Sequence, residues 1–146
     1  MKEHHADSIR NITLAGHAGS GKTSLSEILL YTAGEVNRIG AISEGNTVSD
    51  YNANEIERQF SIQLSLMHLE WNGVKLNLID APGYSDFLGD LKSSIRIADT
   101  VISVVKAVEG VESGTENAMA DVLAAKKAAG VVINKVDSER SDFFAI

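Results

Sequence analysis

Residues 16–23 read GHAGSGKT, a fit to G-x-x-x-x-G-K-[ST]. Before it, IRNITLA (9–15) alternates well enough to be a strand. After it the period changes: Leu25, Ile28, Leu29 and Thr32 fall on one helical face, and Gly34 is placed to cap the end. A strand, a Gly-rich loop and a helix in that order decide the fold class. The amides of Gly16, His17, Ala18, Gly19, Ser20, Gly21, Lys22, Thr23 and Ser24 are candidates to cradle a phosphate chain at the helix N-terminus. Lys22 is placed to reach the β- and γ-phosphates, and the Thr23 hydroxyl to bind Mg²⁺. By average residue usage the pattern arises by chance in roughly one chain in 200 of this length. In this context the plain alternative, a Gly turn that only caps a helix, is the weaker reading.

Working outward, residues 35–57 are polar with few apolar anchors and read as a long mobile loop, the kind that is usually functional inside a compact domain. Ile62, Leu64 and Leu66 then alternate with Gln63, Ser65 and Met67. Asn72-Gly73 is a strong hairpin signal, followed by Val74, Leu76 and Leu78 on one face. These two strands are expected to be antiparallel and to end at Asp80. Helical spacing returns at Phe87, Leu91, Ile95 and Ala98, and TVISVVKA (100–107) is a strand covered on both faces. Ser113 and Glu116 suggest a capping box ahead of an Ala-rich helix to about Ala129, and GVVINK (130–135) is a further buried strand. The class is α/β, a mostly parallel sheet with one antiparallel hairpin.

The bulk numbers agree. The 146 residues are 44% apolar and 23% charged, ordinary for one globular domain. No apolar run is long enough to cross a bilayer, and MKEHHADSIR lacks the apolar centre of a signal peptide. The absence of cysteine removes disulfides and thiolate metal sites and points to the cytoplasm. Thirteen basic against twenty acidic residues, a net charge of −7, argue against independent nucleic-acid binding.

Two further motifs follow. Within LIDAPGYSDF (78–87), Asp80 and Gly83 form D-x-x-G, and Pro82 is the only proline. In P-loop enzymes an Asp at a strand end holds Mg²⁺ while a Gly amide meets the γ-phosphate. Pro82 presets its own backbone angle and biases Ala81 away from helix. At the end of the last strand, Asn134, Lys135 and Asp137 form N-K-x-D. A carboxylate at Asp137 accepts two hydrogen bonds from guanine, where adenine presents the opposite pattern and leaves a buried Asp137 unpaired. Lys135 lays its methylene stem along the base and Asn134 braces the loop. An ATP-using P-loop enzyme is disfavoured on this ground.

With these three motifs in order, the chain resembles the GTP-binding domain of translation elongation factor G over essentially its whole length. GNTVSDYNANEIERQFSI (45–62) is similar to that family's first switch loop, with Asp50, Glu55, Glu57 and Arg58 in register, and DAPGYSDF followed by LKSSIRIADTVISVVKAVEGVESGTE looks like its second switch, the following helix and the next strand. The resemblance implies a Ras-like P-loop G domain with strand order 2-3-1-4-5-6, truncated here after the fifth strand. It implies GTP/GDP and Mg²⁺ as ligands, the ribosome as partner through a longer protein, and GTP hydrolysis. The metal set would be Thr23, Ser61 and Asp80, and the catalytic group Lys22, Gly83 and Tyr84. Residues 1–146 would then be an incomplete G domain, lacking the last strand, the last helix and the translocation domains. Its fifth strand and the sheet face under the absent helix would be unprotected, so the fragment is expected to self-associate.

Three departures place the chain nearer an elongation-factor-G-like paralogue. The family's switch threonine falls on Ser61, which keeps the hydroxyl. Gly19 stands where the P-loop usually has Asp, which puts any cation contact there in doubt. Tyr84 stands where the family has the histidine that positions the attacking water. A neutral phenol cannot copy an imidazolium, and such help is typically worth about 10²–10⁴-fold. Hydrolysis is therefore slower than in histidine-bearing relatives or proceeds through a Tyr84 hydroxyl contact; alternatively the ring only packs under the switch. Tetracycline ribosomal-protection proteins, release factors and a GTP/GDP switch module with negligible turnover are the neighbouring readings. Arg58 reads as a solvated charge, His68 and Trp71 as packing residues, and His4 and His5 as a disordered terminus.

Overall fold

The computed structural model describes residues 3–141. Five strands, β1 (Ile9–Ala15), β2 (Ser65–Trp71), β3 (Val74–Asp80), β4 (Thr100–Lys106) and β5 (Ala128–Asn134), form one sheet in the order β2-β3-β1-β4-β5. Only the β2–β3 pair is antiparallel. Its turn is Asn72-Gly73 with φ of +49° and +80°, the paired left-handed conformation that a tight hairpin requires. The expected α/β class and strand order are both present.

Four helices connect the strands: α1 (Lys22–Thr32), α2 (Ala53–Arg58), α3 (Leu88–Ile97) and α4 (Ser113–Ala124). Helix α1 covers one sheet face, where Leu14, Leu30, Met67, Leu69 and Leu78 bury together. Helices α3 and α4 cover the other, over Ala15, Leu91, Ile95, Val101, Ala118 and Val122. Burying a Leu or Ile fully is worth about 1.5–3 kcal/mol, so these two clusters hold the strand ends that carry the motifs. Helix α1 closes as expected near Gly34: its N–H and that of Glu35 reach back to the carbonyls of Tyr31 and Leu30, and Gly34 takes φ +79°.

Several expectations need correction. On α1 the buried residues are Lys22, Thr23, Ser26, Glu27 and Leu30, while Ile28 is exposed and Leu25 and Leu29 only half-buried. Glu27 is buried because Gly40 and Val48 of the loop after α1 pack on it, and the Ser26 hydroxyl is satisfied by the Lys22 carbonyl one turn back. Strand β2 has the opposite phase: Ser65, Met67 and Leu69 are buried and Leu66 is exposed. Pairing of Ser65 with Asp80 and Met67 with Leu78 sets that register. Helix α4 ends at Ala124 rather than near Ala129, where Lys126 turns the chain with φ +54°, and its N-cap is Glu112 without a side-chain cap, so no Ser113/Glu116 box forms. Strand β5 has no fully buried residue, since it lies at the sheet edge.

The 35–57 segment contains a 3₁₀ turn at Ile42–Glu44 and most of α2, so it is built rather than formless. His4 is likewise engaged, its Nε2 2.9 Å from Glu70 Oε1, and a 3₁₀ turn follows at Ala6–Ser8. Beside α1 an apolar groove of about 320 Å³ remains open, lined by Ile12, Leu25, Leu29, Trp71, Leu76 and Val132 among others.

Candidate functional site: a phosphate loop over paired carboxylates

The loop between β1 and α1 is shaped by its glycines. Gly16 has φ +131° and lies so close to the Val104 backbone that a Cβ would collide with it. Gly21 is the N-cap of α1 at φ +96°, with no side-chain cap. The first-turn N–H groups of α1 are therefore left for an anion. Lys22 is 7% exposed, and its Nζ donates to the carbonyls of Gly16 at 3.1 Å and His17 at 3.0 Å. Burial lowers its pKa, and the negative charges of Asp80 and Asp50 oppose that shift. Ala18 and Gly19 line the cavity beside it, and Ser24 points to solvent.

Beneath the loop the expected metal residues converge. Thr23 Oγ1 donates to Asp80 Oδ2 at 2.6 Å and lies 3.3 Å from Ser61 Oγ. Ser61 Oγ in turn donates to Asp50 Oδ1 at 2.8 Å. Among the described residues, Asp80 Oδ1 and Asp50 Oδ2 are buried with no hydrogen-bond partner. Desolvation pushes the Asp80 carboxyl up to about 6, against the Thr23 hydrogen bond and the Lys22 charge. Burial also raises Asp50, with the Ser61 bond opposing. Two orphaned carboxylate oxygens beside two hydroxyls form an all-oxygen donor set, which fits a hard divalent cation such as Mg²⁺. Asp50 does not stand out as a site residue in the sequence. Its only signal there is its place in the switch-like stretch.

Gly83 abuts the loop: a Cβ would stand 2.5 Å from Lys22 Nζ and 2.7 Å from the Ala18 amide nitrogen. Tyr84 next to it is 46% exposed, with its ring 4.7 Å from that of Phe60 at an interplanar angle of 56°. Both rings line a cavity of about 70 Å³ together with Lys22, Thr23, Ser61 and Asp50. That is room for about two waters at roughly 30 Å³ each, and Gln59, Phe60 and Ser61 form one of its walls. The Tyr84 hydroxyl has no hydrogen bond to the described residues, and its ring stands against Phe60.

The third motif meets the first through Asn134. Its Nδ2 donates to the Ser20 carbonyl at 2.9 Å and its Oδ1 accepts the Lys135 N–H at 2.8 Å. A Cβ on Gly21 would collide with the Asn134 amide, so these two loops are in direct contact. Lys135 adopts φ +59°, and both Lys135 and Asp137 are exposed. A buried Asp137 is thus not what the fold supplies. Its desolvation would have to come from a base laid over it. The His17 backbone belongs to the loop, while its ring turns to Glu112, with Nε2 3.5 Å from Glu112 Oε1. Arg58 and His68 are exposed.

Comparison with known proteins bears on this geometry. Residues 7–146 match the family model described as the elongation factor Tu GTP binding domain. The chain belongs to that family. It is 39% identical over 135 residues to an elongation factor G-like protein of Mycobacterium tuberculosis (strain ATCC 25618 / H37Rv), covering 92% of this chain and 19% of that one. It is 38% identical over 134 residues to the mitochondrial ribosome-releasing factor 2 of Lodderomyces elongisporus, covering 92% of this chain and 16% of the relative. A solved protein from Thermus thermophilus superposes with a TM-score of 0.91 at 37% identity, over 94% of this chain and 21% of its own. The chain thus spans about a fifth of the length of these relatives. The matched stretch contains the loop, the two carboxylates and the Asn134 contact described above.

Proposed function

We propose that the chain binds GTP and GDP with Mg²⁺ and hydrolyses GTP, as the G domain of an elongation-factor-G-like translational GTPase acting on the ribosome through a longer protein. The observation that carries this is the Thr23–Asp80 hydrogen bond directly under the phosphate loop, with Asp80 Oδ1 left unpartnered. Thr23, Ser61 and Asp80, joined by Asp50, would hold the cation. When bound, Mg²⁺ would offset charge on the β- and γ-phosphates. Lys22 would leave its two carbonyl partners for phosphate oxygens, and the α1 amides would stabilise the same charge. The Gly83 amide would meet the γ-phosphate, and Asn134, Lys135 and Asp137 would receive guanine.

Turnover depends on Tyr84. Its ring contact with Phe60 favours a packing role. A second reading follows: the domain is a GTP/GDP switch with little turnover. The two separate by phosphate release from the full-length protein, with and without ribosomes. The GTPase reading expects ribosome-stimulated release in wild type and at least about tenfold more in Tyr84→His, given the 10²–10⁴-fold usual for general-base help. Unchanged release in Tyr84→His sinks the idea that the tyrosine slows hydrolysis, and no release in either protein selects the switch.

A further inference from the structure

We propose that Glu27 is a positioning residue for the GTP-bound state: it clamps the 40–48 loop onto α1 and so sets where Asp50 and Ser61 stand. The inference rests on the nucleotide-binding reading above. Glu27 lies four residues beyond Thr23, so both side chains leave the same face of α1 one turn apart. A glutamate is almost never fully buried unless paired, yet Glu27 is 1% exposed.

Both of its oxygens are used, and both by backbone. Oε2 accepts the Gly40 N–H at 2.9 Å and Oε1 the Val48 N–H at 2.5 Å. One carboxylate thus ties the two ends of the loop to a single point on the helix. Inside the loop, the Ala41 N–H donates to Asn46 Oδ1 at 2.7 Å and Asn46 Nδ2 to Glu44 Oε2 at 2.8 Å. Gly40 is needed for the approach: a Cβ there would stand 2.7 Å from Glu27 Oε2 and 2.8 Å from the Asn46 carbonyl oxygen.

Just beyond Val48, the chain reaches the site. The Ser49 carbonyl accepts the Ser65 hydroxyl at 2.7 Å, and Asp50 accepts the Ser61 hydroxyl. Helix α1 therefore carries the phosphate and metal groups on its first turn and the anchor of the switch-like loop on its second. Movement of the loop away from α1 must break both Glu27 bonds, and movement of Glu27 must shift Asp50.

The test uses the full-length protein with Mg²⁺. Affinities for GDP and a non-hydrolysable GTP analogue are measured for wild type, Glu27→Gln and Gly40→Ala, with trypsin cleavage after the exposed Arg38 as a second readout. Glu27→Gln replaces one acceptor by an NH₂ facing a backbone N–H, and Gly40→Ala disturbs the same contact from the loop side with α1 intact. Both variants are expected to lose about tenfold or more in analogue affinity, the scale of one charged hydrogen bond, while GDP affinity changes less than about threefold. The analogue slows Arg38 cleavage in wild type and not in the variants. Wild-type analogue affinity and protection in the variants overturns the proposal, as does an equal loss for both nucleotides. A wild type that binds neither nucleotide removes the nucleotide reading itself. Should Glu27→Gln not fold, Gly40→Ala decides alone.

Discussion

Asp80 supplies a pH dependence whose sign runs against the habit of carboxylates. Its folded pKa is pushed up to about 6 from the ordinary 3.8, because burial outweighs the Thr23 bond and the Lys22 charge. Between those two pH values the folded chain holds a proton that the unfolded chain has released. Stability from this group is therefore present at low pH and lost as pH rises through about 6. The gap between the two values corresponds to about 3 kcal/mol, taken as an upper figure. Between pH 4.5 and 7.5 about 2 kcal/mol of this is lost, which at the roughly 1–3 kcal/mol per molar typical of urea moves the unfolding midpoint by about 0.7–2 M. The assay is urea unfolding of the 146-residue chain in EDTA at pH 4.5 and 7.5, at concentrations where it sediments as a monomer. Asp80→Asn keeps an acceptor for Thr23 and removes the titration, so the wild-type pH slope minus that of the variant isolates Asp80. Identical slopes refute the reasoning, as does a wild type that gains more stability than the variant on going to pH 7.5.

Other outcomes follow from the same contacts. Asn134→Ala removes the bond to the Ser20 carbonyl, and GDP affinity should drop about 3–10-fold for one lost neutral hydrogen bond; titration calorimetry checks it. Gly83→Ala puts a methyl against Lys22 Nζ and the Ala18 amide, and GTP-analogue affinity should fall by at least about tenfold for a backbone displaced from a charged group, measured by fluorescent-analogue competition. The open groove lined by Leu25, Leu29 and Trp71 should make the isolated 146-residue chain associate with rising concentration, and Leu29→Lys should reduce this in sedimentation velocity.

Where local chemistry dictates shape, the sequence is legible. The Gly-rich loop, the Asn72-Gly73 turn and the apolar run of β4 all stand where their residues put them, since each follows from φ limits or from two-sided burial. Strand β2 reads in the wrong phase because both of its faces carry apolar residues. The choice lies in the pairing of Ser65 with Asp80, a long-range fact. The α4–β5 boundary is misplaced in the sequence reading because alanines favour helix, whereas Lys126 ends it by a left-handed turn that no residue type announces.

The site divides the same way. Thr23, Asp80, Gly83 and Asn134 come from spacing, and the fold sets Thr23 on Asp80, Gly83 beside Lys22 and Asn134 on the Ser20 carbonyl. Asp50, Glu27 and Glu55 do not stand out as buried anchors, because an acidic residue reads as solvated when its backbone partners are distant in sequence. Glu55 is 1% exposed, and its Oε1 accepts the N–H groups of Ile62 and Gln63 at 2.9 and 3.1 Å. Together with Glu27 it turns an apparent loop into a built support for Ser61.

The central claim is that the phosphate loop and the Asn134–Lys135–Asp137 turn form one guanine-nucleotide site. Competition of GDP and ADP for the full-length protein in Mg²⁺, repeated with Asp137→Ala, tests it most directly. The account predicts that GDP binds and ADP does not, and that Asp137→Ala weakens GDP by about 10–100-fold, as expected for hydrogen bonds to a charged group. Equal binding of GDP and ADP, or GDP affinity indifferent to Asp137, contradicts it.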